Sequence, residues 1–130
     1  MDWKKFKELS ILVVDDDQFT RELIKTILKQ VSNITIYQAK DGVEALGVMN
    51  DIIKLDMILL DLYMPYMNGK EFIDTVRQNS QYYALPIVLI TTDRLSKIEL
   101  SNIGANYYLT KPFDFHNFLE SIYLFLEQEK

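Results

Sequence analysis

The sequence predicts an α/β protein in which helices cover both faces of a parallel sheet. Short apolar runs rich in β-branched residues alternate with segments whose apolar residues recur at helical spacing, and the alternation is repeated five times. One run, Met57–Leu60, is apolar at every position, which is typical of a strand buried on both faces. Right-handed crossovers are therefore expected between successive strands.

The strands are predicted from apolar runs bounded by polar residues or turn signals. The first run ends in acids, the second is β-branched, the third ends in an acid, the fourth opens at a proline, and the fifth follows a glycine. The predicted strands are Ile11–Val14, Ile34–Tyr37, Met57–Leu60, Ile87–Ile90 and Tyr107–Leu109.

The helices are predicted from apolar spacing and from capping residues. The first spans Thr20–Val31, and the fourth, which is short, spans Leu95–Ile103 with Gly104 as its C-cap. Asp114 is expected to N-cap the fifth helix. The second helix is suggested by Val43, Ala45, Leu46 and Met49, and the third is marked by Phe72, Ile73 and Val76. The inner stripe of the fifth helix is predicted to comprise Phe115, Phe118, Leu119, Ile122 and Leu126.

Composition limits the classes of function that the chain can have. With 130 residues, 48% of them hydrophobic, it is expected to form one domain over residues 1–130. The net charge of −5 argues against direct electrostatic binding to nucleic acid or to an anionic membrane. The chain contains no cysteine, which excludes disulfides and thiol chemistry. No apolar run is long enough to span a bilayer, so a cytoplasmic location is expected.

Acidic residues follow two of the predicted strands. Asp15 and Asp16 end the first strand, and Asp61 ends the third. Ligands of open α/β sheets bind beyond the carboxyl ends of the strands, so the three carboxylates are expected to converge. Two carboxylates 4 Å apart repel by about 4 kcal/mol at an effective dielectric constant near 20, and Mg²⁺ would relieve that repulsion. Asp17, which lies further from the strand, is expected to cap the first helix.

Asp61 is the strongest candidate for a reacting residue. A carboxylate directly after the buried run Met57–Leu60 is poorly explained by packing, although an isolated acid there would be read as a turn residue. As a nucleophile, Asp61 would form an acyl phosphate.

Thr91 and Lys111 follow the fourth and fifth strands and are each ambiguous alone. The hydroxyl of Thr91 can donate to a phosphoryl oxygen, but threonine is also common in strands and as an N-cap. Lys111 precedes Pro112, which favours an extended backbone and permits a cis peptide bond. Its ammonium can bind phosphate, and the alternative is a surface lysine in a turn.

Together these segments resemble the receiver domain of two-component response regulators over essentially the whole chain. One such segment is weak evidence, whereas five in this order are specific. The segments that carry the resemblance are Ile11–Asp16, Leu59–Pro65, Asn68-Gly69, Pro86–Thr91 and Tyr108–Phe113. The resemblance implies a flavodoxin-like (βα)5 sandwich whose parallel strands lie in the order 2-1-3-4-5.

The resemblance also implies roles for the acids. Asp61 resembles the phosphoacceptor that takes a phosphoryl group from a phosphohistidine. Asp16, Asp61 and the backbone carbonyl of Tyr63 would bind Mg²⁺ directly, and Asp15 would bind it through a water molecule. The expected function is a switch rather than an enzyme, with self-catalysed phosphoryl transfer and autodephosphorylation only.

The implied switch involves the fourth and fifth strands. Lys111 would pair with the phosphoryl group or with Asp61, Thr91 would move to a phosphoryl oxygen, and Tyr108 would follow inward. The partners would be a sensor histidine kinase or phosphotransfer protein and a downstream protein target. A homodimer through the face formed by helix four, strand five and helix five is a further expectation, with no direct contact to nucleic acid and no membrane insertion.

Three features depart from the family pattern. The spacing from Thr91 to Lys111 is about two residues tighter, so helix four is expected to be short, frayed or tilted. Thr92 stands where a smaller residue is frequent and would narrow access to the phosphoryl site. Tyr63 is bulky and would shield the acyl phosphate, so the phosphorylated state is expected to be long-lived.

Several alternatives remain open at this point. The chain could be a diffusible output protein, a phosphorelay intermediate or part of a longer regulator. It could also be a degenerate receiver that binds partners without phosphorylation. A haloacid dehalogenase-type phosphatase, in which Asp15 and Asp17 would be nucleophile and acid/base, is less consistent because Phe19 replaces the expected hydroxyl residue.

Aromatic residues are concentrated in the C-terminal third of the chain. Most are expected in the core, whereas Tyr123 and Phe125 fall off the inner stripe of the fifth helix and are candidates for a docking or dimer surface. The only histidine, His116, is expected to be exposed near the start of that helix.

Overall fold

The computed structural model, which describes residues 1–129, contains five parallel strands in the order β2-β1-β3-β4-β5. This confirms the predicted fold class and strand order. The strands are β1 Leu9–Val14, β2 Ile34–Ala39, β3 Met57–Asp61, β4 Ile87–Thr91 and β5 Tyr107–Thr110. The helices are α1 Gln18–Leu28, α2 Gly42–Met49, α3 Gly69–Gln78, α4 Lys97–Ile103 and α5 Phe115–Glu129, and a 3-10 turn, Trp3–Phe6, precedes β1.

The strand register aligns the ends of the central strands. Val14, the last residue of β1, pairs with Leu60, so the acids that follow these two residues lie at one level of the sheet. Asp61 in turn pairs with Ile90, and Thr91 pairs with Thr110 directly before Lys111. The carboxyl ends of β1, β3, β4 and β5 therefore meet at one edge of the fold.

The sheet separates two hydrophobic clusters, one on each face. Along β3, Leu59 belongs to the cluster under α1 and α5, while Ile58 and Leu60 belong to the cluster under α2 and α3. Side chains alternate between the faces of a strand, so a run apolar at every position is what two covered faces require. Phe118 on α5 and Phe72 on α3 are among the largest side chains that the two clusters bury.

Side-chain caps set several helix boundaries. Asp17 accepts a hydrogen bond from the backbone N–H of Phe19, which confirms its predicted capping role and starts α1 two residues earlier than predicted. The helix also ends at Leu28, before the predicted Val31, because the next residues form shorter-range backbone bonds. Asp114 accepts from the backbone N–H of Asn117 at 2.8 Å, as a cap of α5 does.

Helix α4 is short, as predicted, but begins at Lys97 and not at Leu95. Ser96 is its N-cap and forms a capping box with Glu99. Leu95 and Ser96, which were predicted to be helical, therefore precede the first turn of the helix. Gly104 ends the helix with φ of 95°, which confirms the predicted C-cap. None of the seven residues of α4 is fully buried.

The 3-10 turn, which periodicity could not predict, covers part of α5. The rings of Trp3 and Phe6 lie 5.1 and 5.5 Å from the ring of Tyr123, and Lys5 forms an ion pair with Glu127. Tyr123 is consequently only 8% exposed, so the prediction that it forms a docking surface is wrong. Phe125, the other candidate, is partly buried and stacks on Tyr107 at 4.2 Å between ring centroids.

His116 is exposed, as predicted. Among residues 1–129, no helix is both long enough and apolar enough to cross a membrane.

Candidate functional site

Three carboxylates converge where β1 and β3 end. Carboxylate oxygens of Asp15, Asp16 and Asp61 all lie within 4.8 Å of one another. Asp15 is buried, Asp16 is exposed, and the side chain of Asp61 is 11% exposed. Opposite ligands of an octahedral Mg²⁺ site lie about 4 Å apart, and Mg²⁺ prefers carboxylate oxygens and water. The donor set and its spacing therefore fit Mg²⁺.

Burial makes the ionised acids unfavourable. The pKa of Asp61 is raised to about 6, first because burial removes water from the carboxylate and then because Asp15 is nearby. Burial also raises the pKa of Asp15, although the N–H of Asp17 donates to its Oδ1 at 2.9 Å and opposes that rise. A cation among these groups would replace the missing solvation and remove the repulsion between the carboxylates.

Lys111 supplies a positive charge between the two most buried acids. Its Nζ lies 3.5 Å from Oδ2 of Asp15 and 3.8 Å from Oδ1 of Asp61. Its backbone N–H donates to the carbonyl oxygen of Thr91 at 2.8 Å, which fixes the start of the loop, and the Lys111–Pro112 peptide is cis. The ammonium is thus held at the acidic cluster and is not a freely solvated surface charge.

Thr91 is 1% exposed and lies at the same edge of the sheet. Its Oγ1 accepts a hydrogen bond from the backbone N–H of Asp93 at 3.2 Å. Ser96, not Thr91, caps α4, so the alternative interpretation of Thr91 as that helix's N-cap is wrong. The neighbouring Thr92 is exposed.

Tyr63 lies beside the phosphoacceptor candidate. Its backbone N–H donates to Oδ1 of Asp61 at 3.4 Å, and its hydroxyl donates to the carboxylate of Asp93. The hydrogen bond to Asp93 raises the pKa of the Tyr63 phenol. The ring is 62% exposed and stands in the loop after β3.

Sequence reasoning missed two residues that contact the site. Asp93 lies two positions after Thr91, and only the spacing of an acid from a strand end could have suggested it. Arg21 donates from its guanidinium to the carbonyl oxygen of Asp15 at 2.6 Å and so holds the loop that carries the acids. The sequence did offer one signal for Arg21, because it is a cation near the start of α1, four residues after the cap Asp17.

Tyr108 lies on the neighbouring face formed by α4, β5 and α5. It is partly buried and packs against the cluster under α2 and α3. It also borders a cavity of about 690 Å³, whose other walls include Leu100, Tyr107 and Phe125. The predicted site residues thus divide into an acidic cluster with Thr91 and Lys111, and Tyr108 on the adjoining face.

Comparison with known proteins assigns the family. The family model described as the response regulator receiver domain matches residues 11–123. The chain belongs to this family. The receiver is 33% identical over 107 residues to the chemotaxis protein CheY homolog of Campylobacter jejuni, covering 81% of the receiver and 82% of that protein. It is also 33% identical over 107 residues to the chemotaxis protein CheY1 of Helicobacter pylori, covering 81% and 86%.

Solved structures agree with this assignment. The chemotaxis response regulator CheY4 of Vibrio cholerae superimposes on the receiver with a TM-score of 0.83 at 32% identity, covering 92% of the receiver and 99% of that chain. Receiver domains are signalling switches of two-component systems and not conventional enzymes, and they typically bind Mg²⁺ in an acidic pocket. The phosphatase alternative loses its basis, because the Asp17 carboxylate is bound to the N–H of Phe19 and the hydroxyl of Thr20.

Proposed function

We propose that this receiver is a phosphorylation-dependent switch that accepts a phosphoryl group from a phosphohistidine onto Asp61. The observation that carries the proposal is the convergence of three carboxylates with the ammonium of Lys111 at the end of the sheet. Acids and a cation at one edge suit a reaction that depends on positioning and charge neutralisation.

In the proposed transfer, a carboxylate oxygen of Asp61 attacks phosphorus while the bond from phosphorus to the imidazole nitrogen breaks. The electron pair of that bond returns to the imidazole, and Asp61 becomes an acyl phosphate. Lys111, which lies within 4 Å of Asp61, would stabilise the charge on the transferred group.

We propose that Mg²⁺ binds to Asp16, Asp61 and the backbone carbonyl of Tyr63, with Asp15 acting through a water molecule. When bound, the ion would neutralise negative charge on the phosphoryl oxygens. The raised pKa of Asp61 supports this assignment, because a buried carboxylate that lacks solvation gains most from a nearby cation.

The switch is proposed to involve Thr91 and Tyr108. The buried hydroxyl of Thr91 would donate to a phosphoryl oxygen, and Tyr108 would move inward on the α4–β5–α5 face. A small local change would thereby alter the packing of a face that already contains a cavity bordered by Tyr108. Phosphorylation would in this way change contacts with a downstream protein or a second copy of the chain.

The proposed partners follow from this chemistry. The proposed donor is a sensor histidine kinase or a phosphotransfer protein. We propose a cytoplasmic location, because the kinase uses cytoplasmic ATP to phosphorylate its histidine. We propose that residues 1–130 act as one receiver domain through protein contacts, with no direct binding to nucleic acid. The relatives in Campylobacter jejuni and Helicobacter pylori are named as chemotaxis proteins. A diffusible output protein of that kind is one version of the function proposed for this receiver.

The phosphorylated state is proposed to be long-lived. Tyr63 lies two positions after Asp61 and its backbone N–H donates to Oδ1 of that residue, while Thr92 directly follows Thr91. We therefore expect both side chains to flank the path to the acyl phosphate. Unchanged dephosphorylation rates in Tyr63→Ala and Thr92→Ala would contradict this part of the proposal.

The decisive experiment is intact mass spectrometry after incubation with phosphoramidate and Mg²⁺. Phosphoramidate carries a phosphorus–nitrogen bond like that of phosphohistidine. We expect one added phosphoryl group in the wild type and in Asp74→Asn, an exposed acid that pairs with Lys70, and none in Asp61→Asn or with the metal chelated. An adduct that persists in Asp61→Asn would refute the assignment of the acceptor.

The second candidate is a degenerate receiver that binds its partner without phosphorylation. The reduced helix α4, which has no fully buried residue, is the observation that favours it. Failure of every phosphodonor to produce an adduct, together with partner binding unchanged by Asp61→Asn, would support this alternative.

A further inference from the structure

A side-chain hydrogen bond joins the two loops that flank Asp61. The hydroxyl of Tyr63 donates to Oδ2 of Asp93, a residue 30 positions further along the chain. Tyr63 lies in the loop after β3, and Asp93 lies in the loop after β4. Because β3 and β4 are adjacent strands, this contact, termed here the Tyr63–Asp93 bridge, runs along the edge of the sheet where Asp61 and Thr91 lie.

Both ends of the bridge are bound to residues of the proposed site. The backbone N–H of Tyr63 donates to Oδ1 of Asp61 at 3.4 Å, and the backbone N–H of Asp93 donates to Oγ1 of Thr91 at 3.2 Å. A hydroxyl that accepts a hydrogen bond keeps its own proton for donation, so Thr91 remains able to donate to a phosphoryl oxygen. Four residues thus form a continuous chain of hydrogen bonds around the acceptor.

The bridge contributes little to the folded core. Tyr63 is largely exposed and Asp93 is partly exposed, whereas the neighbouring side chain of Asp61 is almost covered. A hydrogen bond between exposed side chains stabilises a fold only slightly, and ordering an aromatic side chain at the surface costs rotamer entropy. The position of the bridge beside Asp61 therefore explains it better than its contribution to the stability of the fold.

We propose that the Tyr63–Asp93 bridge is a gate over the phosphoacceptor, which must open before water can hydrolyse the acyl phosphate. The inference rests on the proposed function, in which Asp61 carries the phosphoryl group. Tyr63 and Asp93 act as positioning residues, because they control approach to the phosphorus atom and take no part in bond making.

The hydrolysis step defines what the gate obstructs. The oxygen of water forms a bond to phosphorus, and the bond between phosphorus and the Asp61 carboxylate oxygen breaks. The electron pair of that bond returns to the carboxylate, and the water proton is released to solvent with inorganic phosphate as the product. The attacking oxygen must approach in line with the breaking bond, and the proposal is that this approach passes between the two loops that the bridge joins.

The same opening admits a small phosphodonor. Phosphoramidate and water would both have to pass between the loops, so loss of the bridge should accelerate phosphorylation and hydrolysis together. An effect of the Asp93 charge alone would act differently, because removing it would favour the anionic donor far more than neutral water. The two rate constants therefore separate a gate from a charge effect.

The test uses the full chain with phosphoramidate and Mg²⁺, and it follows the phosphorylated fraction by intact mass during loading and after donor removal. Tyr63→Phe keeps the ring but removes the hydrogen bond, and Asp93→Ala removes its acceptor. Tyr66→Phe, in the same loop and exposed, is the matched control. The double variant Tyr63→Phe with Asp93→Ala completes a double-mutant cycle.

We expect both rate constants to rise about fivefold in each single variant, the factor that corresponds to one net hydrogen bond. The double variant should be no faster than either single variant, and the control should match the wild type. Wild-type kinetics in Tyr63→Phe, or a double variant whose acceleration is the product of the two single effects, would overturn the gate. If Tyr63→Ala accelerates hydrolysis while Tyr63→Phe and Asp93→Ala do not, the tyrosine ring shields the acyl phosphate without the hydrogen bond, and the bridge is refuted as a gate. Absence of an adduct in the wild type would instead overturn the proposed function, and the gate with it.

Discussion

Replacing Asp61 by asparagine is expected to stabilise the metal-free protein at neutral pH. In the folded chain the pKa of Asp61 is raised from 3.8 to about 6, mainly by burial and then by the charge of Asp15. A rise of this size corresponds to about 3 kcal/mol of free energy that the ionised carboxylate removes from the folded state. Asparagine keeps the shape of the side chain and removes the charge, so the variant should recover much of that free energy.

The pH dependence gives the sign of the effect. The folded state holds the proton of Asp61 more tightly than the unfolded chain does, so the stability contributed by this group is full below about pH 4. It falls as the pH rises through about 6, and the carboxylate is then destabilising. The advantage of Asp61→Asn should accordingly be absent near pH 4 and complete above about pH 7.

Urea unfolding in the presence of a chelator, at several values between about pH 4 and pH 7.5, measures this difference. Asp74→Asn is the control, because Asp74 is exposed and should show little change over the range. A variant that is no more stable than the wild type near neutral pH would refute the reasoning. So would a gain of equal size at both ends of the range, because the stabilisation would then not arise from removal of a charge.

Three further substitutions test the fold around the site. Gly104→Ala should destabilise the protein by about 1–2 kcal/mol in urea unfolding, because the residue has φ of 95° and the added Cβ would lie 2.9 Å from Cγ2 of Ile73; unchanged stability would contradict this. Phe72→Ala should cost about 3–5 kcal/mol in the same assay, since the ring is fully buried, and a loss below about 1 kcal/mol would show that the cavity collapses. Ser96→Ala should cost about 1 kcal/mol, seen as faster amide hydrogen exchange confined to α4; equal exchange would indicate that the cap is dispensable.

The strands and the acidic cluster were predictable because their signals are local. A run such as Met57–Leu60 is apolar at every position only where both faces of a strand are covered. The acids that follow β1 and β3 must then lie at one edge, since parallel strands end together, and Asp15 and Asp61 do lie there. Strand ends thus provide the position and chemistry of a site before any packing is known.

The contacts that sequence reasoning missed join residues far apart in the chain. Trp3 packs on Tyr123 across most of the sequence, and Tyr63 meets Asp93 between two loops without any periodic pattern. Tyr123 was misassigned for this reason, because the helical spacing of α5 cannot show that the chain's first residues cover it. Helix boundaries shifted where a side-chain cap such as Asp17 overrode the apolar pattern.

Helix α4 is an element whose displacement costs little free energy. Seven residues are too few to form a stable helix alone, and none of these seven is fully buried, so the helix is fixed mainly through its end caps and the partial packing of Leu100 and Ile103. Displacing it would expose far less apolar surface than displacing α3 or α5. Two positions of α4 can therefore differ by little free energy, and the modest binding energy of a ligand or partner suffices to select between them.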